Sequence, residues 1–382
     1  MAEATKHLKG LCTVFRTRSI AFAYGFMLGF VAFTILFAFN RSSYSPWFTS
    51  IFITSTLTCT TPTTSSSSSS TTDSLQGMET LMNCDLFDGE WVHDDSYPLY
   101  KQGSCSVIDH KFNCSHNGRP DTDYQKMKWK PKGCNLPRLD GVRMLELLRG
   151  KRLVFVGDSL NRNMWESMLC ILKGSSKDPS NVFEANGKQI SKGETSFSFV
   201  FKDYNFSVEF FVSPFLVQEW KMPDKDGSEK ETLRLDLMGR SSDQYKDADI
   251  IIFNTGHWWI PDKTFKGGGE WNSGGSCDRE TEPIKNETYL SAYPQKMKVL
   301  ESVLKAMKNH VTYLNIARMT DYRKEGHPSF YRDYNLTKEE RKLKLKYLIQ
   351  DCNHWCLPGV PDAWNELLYA ELLIKENKML QH

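Results

Sequence analysis

The sharpest change in the apolar pattern lies near the middle of the chain. Residues 153–156 form a continuous apolar run that contains two valines, which predicts a short buried strand. The run ends at Gly157-Asp158-Ser159, after which the apolar positions between 163 and 172 recur at helical spacing. A strand, a sharp turn and a helix N-terminus would place Ser159 beside outward-facing N–H groups, which suit an oxyanion. An ordinary strand-to-helix turn is the alternative, because serine is common in turns.

The remaining apolar periodicity predicts strands that alternate with helices. Further strands are predicted at residues 195–201, 206–212, 233–237, 249–253 and 312–316, and helices at 139–148, 294–308, 338–349 and 362–376. This alternation predicts an α/β three-layer domain with a mostly parallel sheet. Ligands of such sheets bind beyond the carboxyl ends of the strands, where Ser159 and Asn254 are both expected.

The N-terminus carries a different pattern. Residues 1–18 include four basic side chains, and residues 20–39 then contain no charged side chain at all. Twenty such positions match the hydrocarbon thickness of a bilayer, so we expect a transmembrane anchor at residues 19–39. Because the basic residues precede the anchor, residues 1–18 should stay cytosolic and the rest should be lumenal, which is type II topology. A cleaved signal peptide is the alternative, but its apolar core would be shorter.

Two segments separate the anchor from the main domain. Residues 40–83 are rich in serine and threonine, with six consecutive serines from position 65, and predict a flexible stem. Residues 84–138 are dense in cysteine and predict a small disulfide-linked N-terminal segment, which leaves residues 139–382 for the main domain. Trp91 and Trp129 of this segment are either core residues or platforms for stacking on sugar rings.

Composition and cysteine content narrow the class of function. The net charge of +2 over 382 residues gives no indication of a nucleic-acid partner. Eight cysteines follow the stem and indicate up to four disulfides in an oxidising compartment: Cys84, Cys105, Cys114, Cys134, Cys170, Cys277, Cys352 and Cys356. Zinc is the alternative, but the one close pair, Cys352 and Cys356, lacks a second pair, so no metal site is predicted. Sequons at Asn113, Asn205, Asn286 and Asn335 also fit a secretory lumen.

A second motif, near the C-terminus, changes the interpretation of Ser159. The run that begins at Asp351 is Asp-Cys-Asn-His-Trp-Cys-Leu-Pro-Gly-Val-Pro-Asp, which places His354 three positions after Asp351. A nucleophilic serine needs a base, and the base needs an orienting carboxylate. One tight turn can hold both side chains with the imidazole facing Ser159. The alternative is that Asp351 caps a turn and His354 lies on the surface.

The two motifs together resemble those of the GDSL/SGNH hydrolase superfamily. Their longer forms, at residues 157–167 and 351–362, are similar to motifs of the plant trichome birefringence-like proteins, a family of Golgi polysaccharide O-acetyltransferases. The resemblance extends over about residues 84–380 and implies an SGNH-hydrolase-like catalytic domain. It also implies that Ser159 is the nucleophile, His354 the general base and acid, and Asp351 the residue that orients His354.

Three further residues are candidates for the site. The superfamily places an oxyanion-hole amide after a strand, which implies the side chain of Asn254 as a second oxyanion donor; a strand-end cap is the alternative. Arg162 lies one helical turn beyond Ser159 and is a candidate for contact with the donor or the glycan, with a surface salt bridge as the alternative. His257 follows the same strand as Asn254 and is a candidate for lining the cleft.

The resemblance implies a reaction and a location. We expect an O-acetyltransferase of the Golgi membrane that moves acetyl groups onto cell-wall polysaccharide, pectin or xylan, through an acetyl-serine. No bound cofactor is expected, because the acetyl donor, acetyl-CoA or an acetylated carrier, would be a co-substrate. The alternatives are a polysaccharide acetylesterase and an inactive glycan-binding protein.

One departure from the family pattern supports the last alternative. In relatives, a helix-and-strand stretch separates the Trp-Trp motif from the Trp-Asn-Ser-Gly-Gly motif. In this chain Trp259 and Trp271 are only twelve residues apart, joined through a run of three glycines. We therefore predict a weakened sheet or a repacked site.

Overall fold

The computed structural model describes residues 77–190, 194–223, 227–259, 277–309, 311–332, 337, 339–340 and 350–381. The predicted anchor, nearly all of the predicted stem, Asn335 and most of the helix predicted at 338–349 lie outside these residues. Within the described ranges, none of the helices has the length and apolar character that crossing a membrane requires.

The described elements include both strands and helices, but they alternate only in part, because β4 to β8 follow one another without an α-helix between them. The strands are β1 (Gly89–His93), β2 (Met127–Pro131), β3 (Arg152–Gly157), β4 (Val182–Glu184), β5 (Ser196–Phe201), β6 (Phe206–Val212), β7 (Val217–Pro223), β8 (Glu229–Met238) and β9 (Ile250–Phe253). The helices are α1 (Gly141–Leu147), α2 (Ser159–Ser175), α3 (Ser242–Tyr245), α4 (Gln295–Ala306), α5 (Ala317–Asp321) and α6 (Val360–Leu380). The fold is therefore of the α/β type.

A five-stranded mixed sheet, in the order β4-β5-β6-β3-β9, forms the centre of the fold. The strand β3 is parallel to both of its neighbours, β6 and β9, whereas β5 is antiparallel to β4 and to β6. The prediction of a mostly parallel sheet is therefore wrong for the described residues. The reason is the short connection between β5 and β6, in which Asn205 adopts a left-handed conformation (φ 48°). A connection of that length can only join antiparallel strands.

Two of the predicted strands take other forms. Residues 312–316 form no strand, and the N–H of Ile316 instead donates to the carbonyl of Leu314 in a tight turn that leads into α5. As a result, β9 lies at the edge of the central sheet in the described part of the chain. The strand predicted at 233–237 lies within β8, which pairs with β7 in a separate two-stranded sheet.

The main core lies between α2, α6 and the sheet. The residues of β3 from 153 to 156 are fully buried, as the apolar run predicts for a central strand. Trp165 of α2 stacks on Phe197 and Phe210, with a centroid separation of 5.5 Å in both pairs. Because α2 follows β3 after a single residue, this packing also fixes the turn at Ser159.

The N-terminal segment is a disulfide-linked cap built around β1 and β2. The rings of Trp91 and Trp129 meet edge to face at a centroid distance of 5.6 Å. The Nε1–H of Trp129 donates to the carbonyl of Leu86, and the Nε1–H of Trp91 donates to the carbonyl of Met319 in α5. Trp129 is also almost wholly buried. These contacts support a core role for both rings rather than a sugar platform.

Four disulfides join the eight cysteines that follow the stem. The pairs are Cys84–Cys134, Cys105–Cys170, Cys114–Cys356 and Cys277–Cys352. The prediction of four disulfides is confirmed. The zinc alternative is wrong, because both of its candidate ligands, Cys352 and Cys356, are disulfide-bonded.

Candidate active site

The turn between β3 and α2 presents Ser159 as the first residue of a 17-residue helix. Gly157 is required at the turn, because a Cβ there would lie 2.6 Å from the carbonyl oxygen of Asn254. Asp158 caps the helix, since its Oδ1 accepts from the N–H of Leu160 at 2.9 Å. The helix begins four residues earlier than the apolar periodicity predicts, and Ser159 therefore lies at the positive end of its dipole.

The loop at residues 351–356 brings an imidazole to this serine. The Nε2 of His354 lies 2.8 Å from the Oγ of Ser159, and the Nδ1 lies 2.8 Å from the Oδ2 of Asp351. A carboxylate only accepts, so Nδ1 carries the hydrogen and Nε2 is free to accept from the hydroxyl of Ser159. The structure thus brings these three sequence-predicted residues into the arrangement of nucleophile, base and orienting carboxylate.

The electrostatics of the loop keep Asp351 ionised. Burial acts to raise the pKa of Asp351, but the hydrogen bonds and charge of His354 and the charge of Arg332 more than offset it. The net result is a pKa well below the usual range of a carboxyl group. The guanidinium of Arg332 lies 3.2 Å from the Oδ2 of Asp351. A carboxylate that stays charged can stabilise an imidazolium on His354 during proton transfer.

Two disulfides flank the histidine. Cys352 is joined to Cys277, and Cys356 is joined to Cys114 of the N-terminal cap. Each disulfide attaches the loop to a different part of the fold. His354 is therefore held in a short segment whose two ends are both covalently fixed.

Asn254 follows β9 and lies against the turn that carries Ser159. Its amide nitrogen is placed to donate to both carboxylate oxygens of Asp158, at 2.7 and 3.1 Å. Burial raises the pKa of Asp158, with hydrogen bonds from the start of α2 opposing the shift. This contact agrees with a strand-end role for Asn254 and leaves its role as an oxyanion donor a prediction.

Arg162 forms ion pairs with two buried carboxylates. Its Nε lies 2.8 Å from Glu166 Oε1, and a terminal nitrogen lies 2.9 Å from Asp109 Oδ2. The side chain of Arg162 is only 11% exposed, and both acids are almost wholly buried. The salt bridge expected as the alternative is present, but it is buried rather than on the surface. Contact with a substrate stays a prediction that the geometry does not favour.

His257 lies in the loop beyond β9, within the electrostatic field of the site. Its ring is exposed at the surface, yet the surrounding protein removes enough water to lower its pKa, while the charge of Asp158 opposes that shift. His257 is thus near enough to line a cleft, and its contact with substrate stays a prediction.

Two charged residues near the site escape the sequence analysis. Arg332 contacts Asp351, and the Nζ of Lys296 in α4 donates to the carbonyl of Gly256 at 2.6 Å. Partial burial lowers the pKa of Lys296, against the opposing charge of Asp158. Neither residue belongs to a motif or recurs at a helical or strand spacing with the site residues, so no sequence signal pointed to them.

Comparison with known families gives two matches. A model described as PC-Esterase, a GDSL/SGNH-like Acyl-Esterase family found in Pmr5 and Cas1p, matches residues 136–269 and 265–371. A model described as the PMR5 N terminal Domain matches residues 82–135. The first set includes Ser159, Asp351 and His354, and the second corresponds to the cap.

Three proteins of Arabidopsis thaliana illustrate the similarity. Protein trichome birefringence is 58% identical, over 79% of this chain and 58% of its own length. Protein trichome birefringence-like 1 is 56% identical, over 79% of this chain and 64% of its own length. Protein trichome birefringence-like 4 is 45% identical, over 78% of this chain and 77% of its own length. This chain thus spans less than two thirds of the first two relatives.

The alignments also show how this chain differs from its relatives. The match to trichome birefringence extends over 356 positions, whereas 79% of this 382-residue chain is about 302 residues, so about 54 positions have no counterpart here. The two segments matched by the esterase model meet at residues 265–269. Both observations agree with the shortening expected between Trp259 and Trp271.

Proposed function

Because this chain belongs to the GDSL/SGNH-like acyl-esterase family that includes the trichome birefringence-like proteins, we propose that it is an O-acetyltransferase acting on cell-wall polysaccharide. The observation that carries the proposal is the 2.8 Å separation between Ser159 Oγ and His354 Nε2, with Asp351 on the other imidazole nitrogen. That arrangement survives in this chain despite its shortening.

In the first half-reaction, Ser159 attacks the acetyl carbonyl of a donor. His354 takes the hydroxyl proton at Nε2 as the new C–O bond forms, and Asp351 stabilises the resulting imidazolium. The N–H of Ser159, at the N-terminus of α2, donates to the oxyanion. The side chain of Asn254 is the proposed second donor, and for this it must release one of its two contacts with Asp158. The bond to the leaving group then breaks, and His354 returns the proton to that group. An acetyl-serine remains.

In the second half-reaction, a sugar hydroxyl takes the place of the leaving group. His354 removes its proton, and the alkoxide oxygen attacks the carbonyl of the acetyl-serine. The bond between the acetyl carbon and the Oγ of Ser159 breaks, and Ser159 regains its proton from His354. An O-acetylated sugar then leaves. The donor is a co-substrate, acetyl-CoA or an acetylated carrier, and no resident cofactor takes part.

The acceptor and the location rest on the family resemblance. We propose pectin or xylan as the acceptor and the Golgi membrane as the location, with a type II anchor and a lumenal catalytic domain. Four disulfides agree with an oxidising compartment. Two of the sequons, Asn205 and Asn286, are exposed and open to glycosylation.

An acetylesterase is the second candidate, because the matching family model is itself described as an acyl-esterase family. The same residues serve both reactions. The outcome depends on whether water or a sugar hydroxyl reaches the acetyl-serine. Donor-free release of acetate from an acetylated glycan, with no transfer to an acceptor, would favour the esterase.

The test is to incubate the full chain with isotopically labelled acetyl donors and a panel of wall oligosaccharides. We expect labelled acetyl on an oligosaccharide and on Ser159, and a loss of at least about 10³-fold in Ser159→Ala. Ser180→Ala, an exposed serine in a turn, is the control and should keep full activity. Full transfer by Ser159→Ala would contradict the mechanism. Glycan binding without any acetyl-enzyme would favour an inactive binding protein.

A further inference from the structure

The main chain of His354 and Trp355 is hydrogen-bonded at every polar group. The N–H of His354 donates to Asp351 Oδ1 at 3.1 Å, and its carbonyl accepts from Nδ1 of His327 at 2.7 Å. The N–H of Trp355 donates to Oδ1 of Asn163, and its carbonyl accepts from Nδ2 of the same asparagine, both at 3.2 Å. A single side chain therefore binds the residue next to His354 through both of its peptide groups.

Asn163 lies on the helix that carries the serine. It follows Ser159 by four residues, so the two side chains share one face of α2, one turn apart. Asn163 is fully buried, and Trp355 is 3% exposed. The carboxamide is planar and carries its acceptor and its donor side by side, which matches the N–H and C=O of one residue in the loop.

The contact with Asp351 cannot set the distance to the serine. Asp351 and His354 lie in the same loop, so they can shift together without breaking their own hydrogen bonds. Asn163 instead joins that loop to α2, the element on which Ser159 is fixed. The two hydrogen bonds of Asn163 to Trp355 therefore hold the loop in place relative to Ser159, which lies one turn earlier on the same helix.

We propose that Asn163 is a positioning residue that sets the separation between Ser159 and His354. This inference rests on the proposed function, because it assigns a role toward the proposed nucleophile and base. A displacement of about 1 Å between reacting groups can cost about 10²-fold in rate. We call the two hydrogen bonds between Asn163 and Trp355 the clamp. Loss of the clamp should therefore lower the rate of acyl-serine formation, while binding of the ester should change little.

Two substitutions separate positioning from plain structural support. Asn163→Ala removes both hydrogen bonds. Asn163→Asp keeps the acceptor for the N–H of Trp355, but the ionised form turns an acceptor toward the carbonyl of Trp355. The protonated acid has the same donor and acceptor pattern as the amide. The Asp variant should therefore regain activity, relative to wild type at the same pH, as the pH is lowered.

Several titratable groups surround the clamp and are shared by wild type and variant. They are His354 and His327 at the loop, Glu166 on α2 and Asp362 on α6. Expressing the activity as a ratio to wild type at each pH removes their common contribution. The remaining pH dependence then reports the new carboxyl group alone.

Asn365 provides a matched control. It is also a fully buried asparagine bound to α2, where its Nδ2 donates to the carbonyl of Met164 and to the Oγ of Ser167, both at 3.0 Å. It reaches α2 from α6 and bonds to neither His354 nor Trp355. Asn365→Ala should thus cost comparable stability without moving the imidazole.

The experiment measures acylation of the full chain by an activated aryl acetate. The burst of released phenol is the signal that monitors acylation. We expect the rate constant of the burst, which reports acylation, to fall about 10- to 100-fold in Asn163→Ala, with the ester concentration that half-saturates it within about twofold of wild type. Both values should stay near wild type in Asn365→Ala. Three results would overturn the inference while leaving the proposed function intact. They are a wild-type acylation rate in Asn163→Ala, equal losses of that rate in Asn163→Ala and Asn365→Ala, and an activity of Asn163→Asp relative to wild type that does not change with pH. A wild-type chain that forms no acyl-serine would overturn both.

Discussion

Two regions of the molecule, one around α6 and one around α4, differ in how firmly they are packed. In the first region, α6 buries twelve of its 21 residues, and its buried acids and an asparagine form hydrogen bonds with α2 and with the cap. In the second region, α4 buries none of its 12 residues, and Val299 and Val303 are 64% and 52% exposed. The neighbouring strand β9 lies at the edge of the sheet in the described residues, with Phe253 half exposed.

The difference coincides with the shortening of the chain. The two segments matched by the esterase model meet at residues 265–269, after β9 and before α4, on the sparsely packed side. The serine, the imidazole and the carboxylate all stand on the other side, on α2 and on the disulfide-flanked loop. The prediction of a weakened sheet agrees with the exposed edge at β9. The alternative, a repacked site, is not what the hydrogen-bonded group of Ser159, His354 and Asp351 indicates.

The largest effect is expected at Asp351, on the firmly packed side. Asp351→Asn keeps Oδ1, which accepts the N–H groups of Asn353 and His354, but places an amide where Oδ2 now accepts from His354 Nδ1. The imidazole is then forced into the wrong tautomer. We expect the rate constant for acetyl-serine formation to fall roughly 10³- to 10⁴-fold, with little change in the thermal midpoint of unfolding.

The control for this substitution is Asp236→Asn in β8. Asp236 also pairs with an arginine, Arg234, but on an exposed hairpin away from the loop. It should leave the rate constant for acetyl-serine formation unchanged. Activity of Asp351→Asn within about tenfold of wild type would contradict the assignment of Asp351 as the orienting carboxylate.

Much of the firmly packed side could be predicted from the sequence. The apolar run before Gly157 predicted β3, the helical periodicity predicted α2 and α6, and the two motifs named Ser159, Asp351 and His354. These features are local, because each depends on a few neighbouring residues. Two features could not be predicted, because they depend on residues distant in the chain. Residues 312–316 do not join the sheet as a strand, and Arg332 contacts Asp351. The apolar periodicity of a segment does not show whether a neighbouring strand has an unpaired edge with which it can form hydrogen bonds.

The next effect compares a core leucine with an exposed valine. Leu367 of α6 is fully buried, so Leu367→Ala should lower the free energy of unfolding by about 2–5 kcal/mol through lost contacts and a cavity. Val303→Ala in α4 removes a half-exposed side chain and should cost no more than about 0.5 kcal/mol. Urea unfolding monitored by tryptophan fluorescence measures both. A cost at Val303 as large as that at Leu367 would show that α4 is covered in solution, which would remove the contrast between the two sides.

The smallest effect concerns pH and returns to α6, whose two buried acids face the cap. Burial raises the pKa of Asp362 and of Glu366 to about 7 each, against the hydrogen bonds from Ser167 and Tyr97. In the unfolded chain both groups ionise near their ordinary value of about 4. Between these values the folded state holds more protons, so stability falls as the pH rises from about 4 to about 7. We expect a higher free energy of unfolding, and with it a higher thermal midpoint, at pH 5 than at pH 8.

Glu366→Gln tests the source of this slope. Glutamine keeps the Oε1 that accepts from Tyr97 and from the N–H of Leu139, but it cannot ionise. The variant should therefore lose part of the pH dependence, whereas Glu90→Gln on the exposed face of β1 should keep all of it. Hydrogen exchange sharpens the comparison further: protection in α6 should rise on acidification, while protection in α4 should not. An unchanged slope in Glu366→Gln would mean that the buried acids do not set the pH response, and the firmly packed side would owe its stability to apolar packing and disulfides alone.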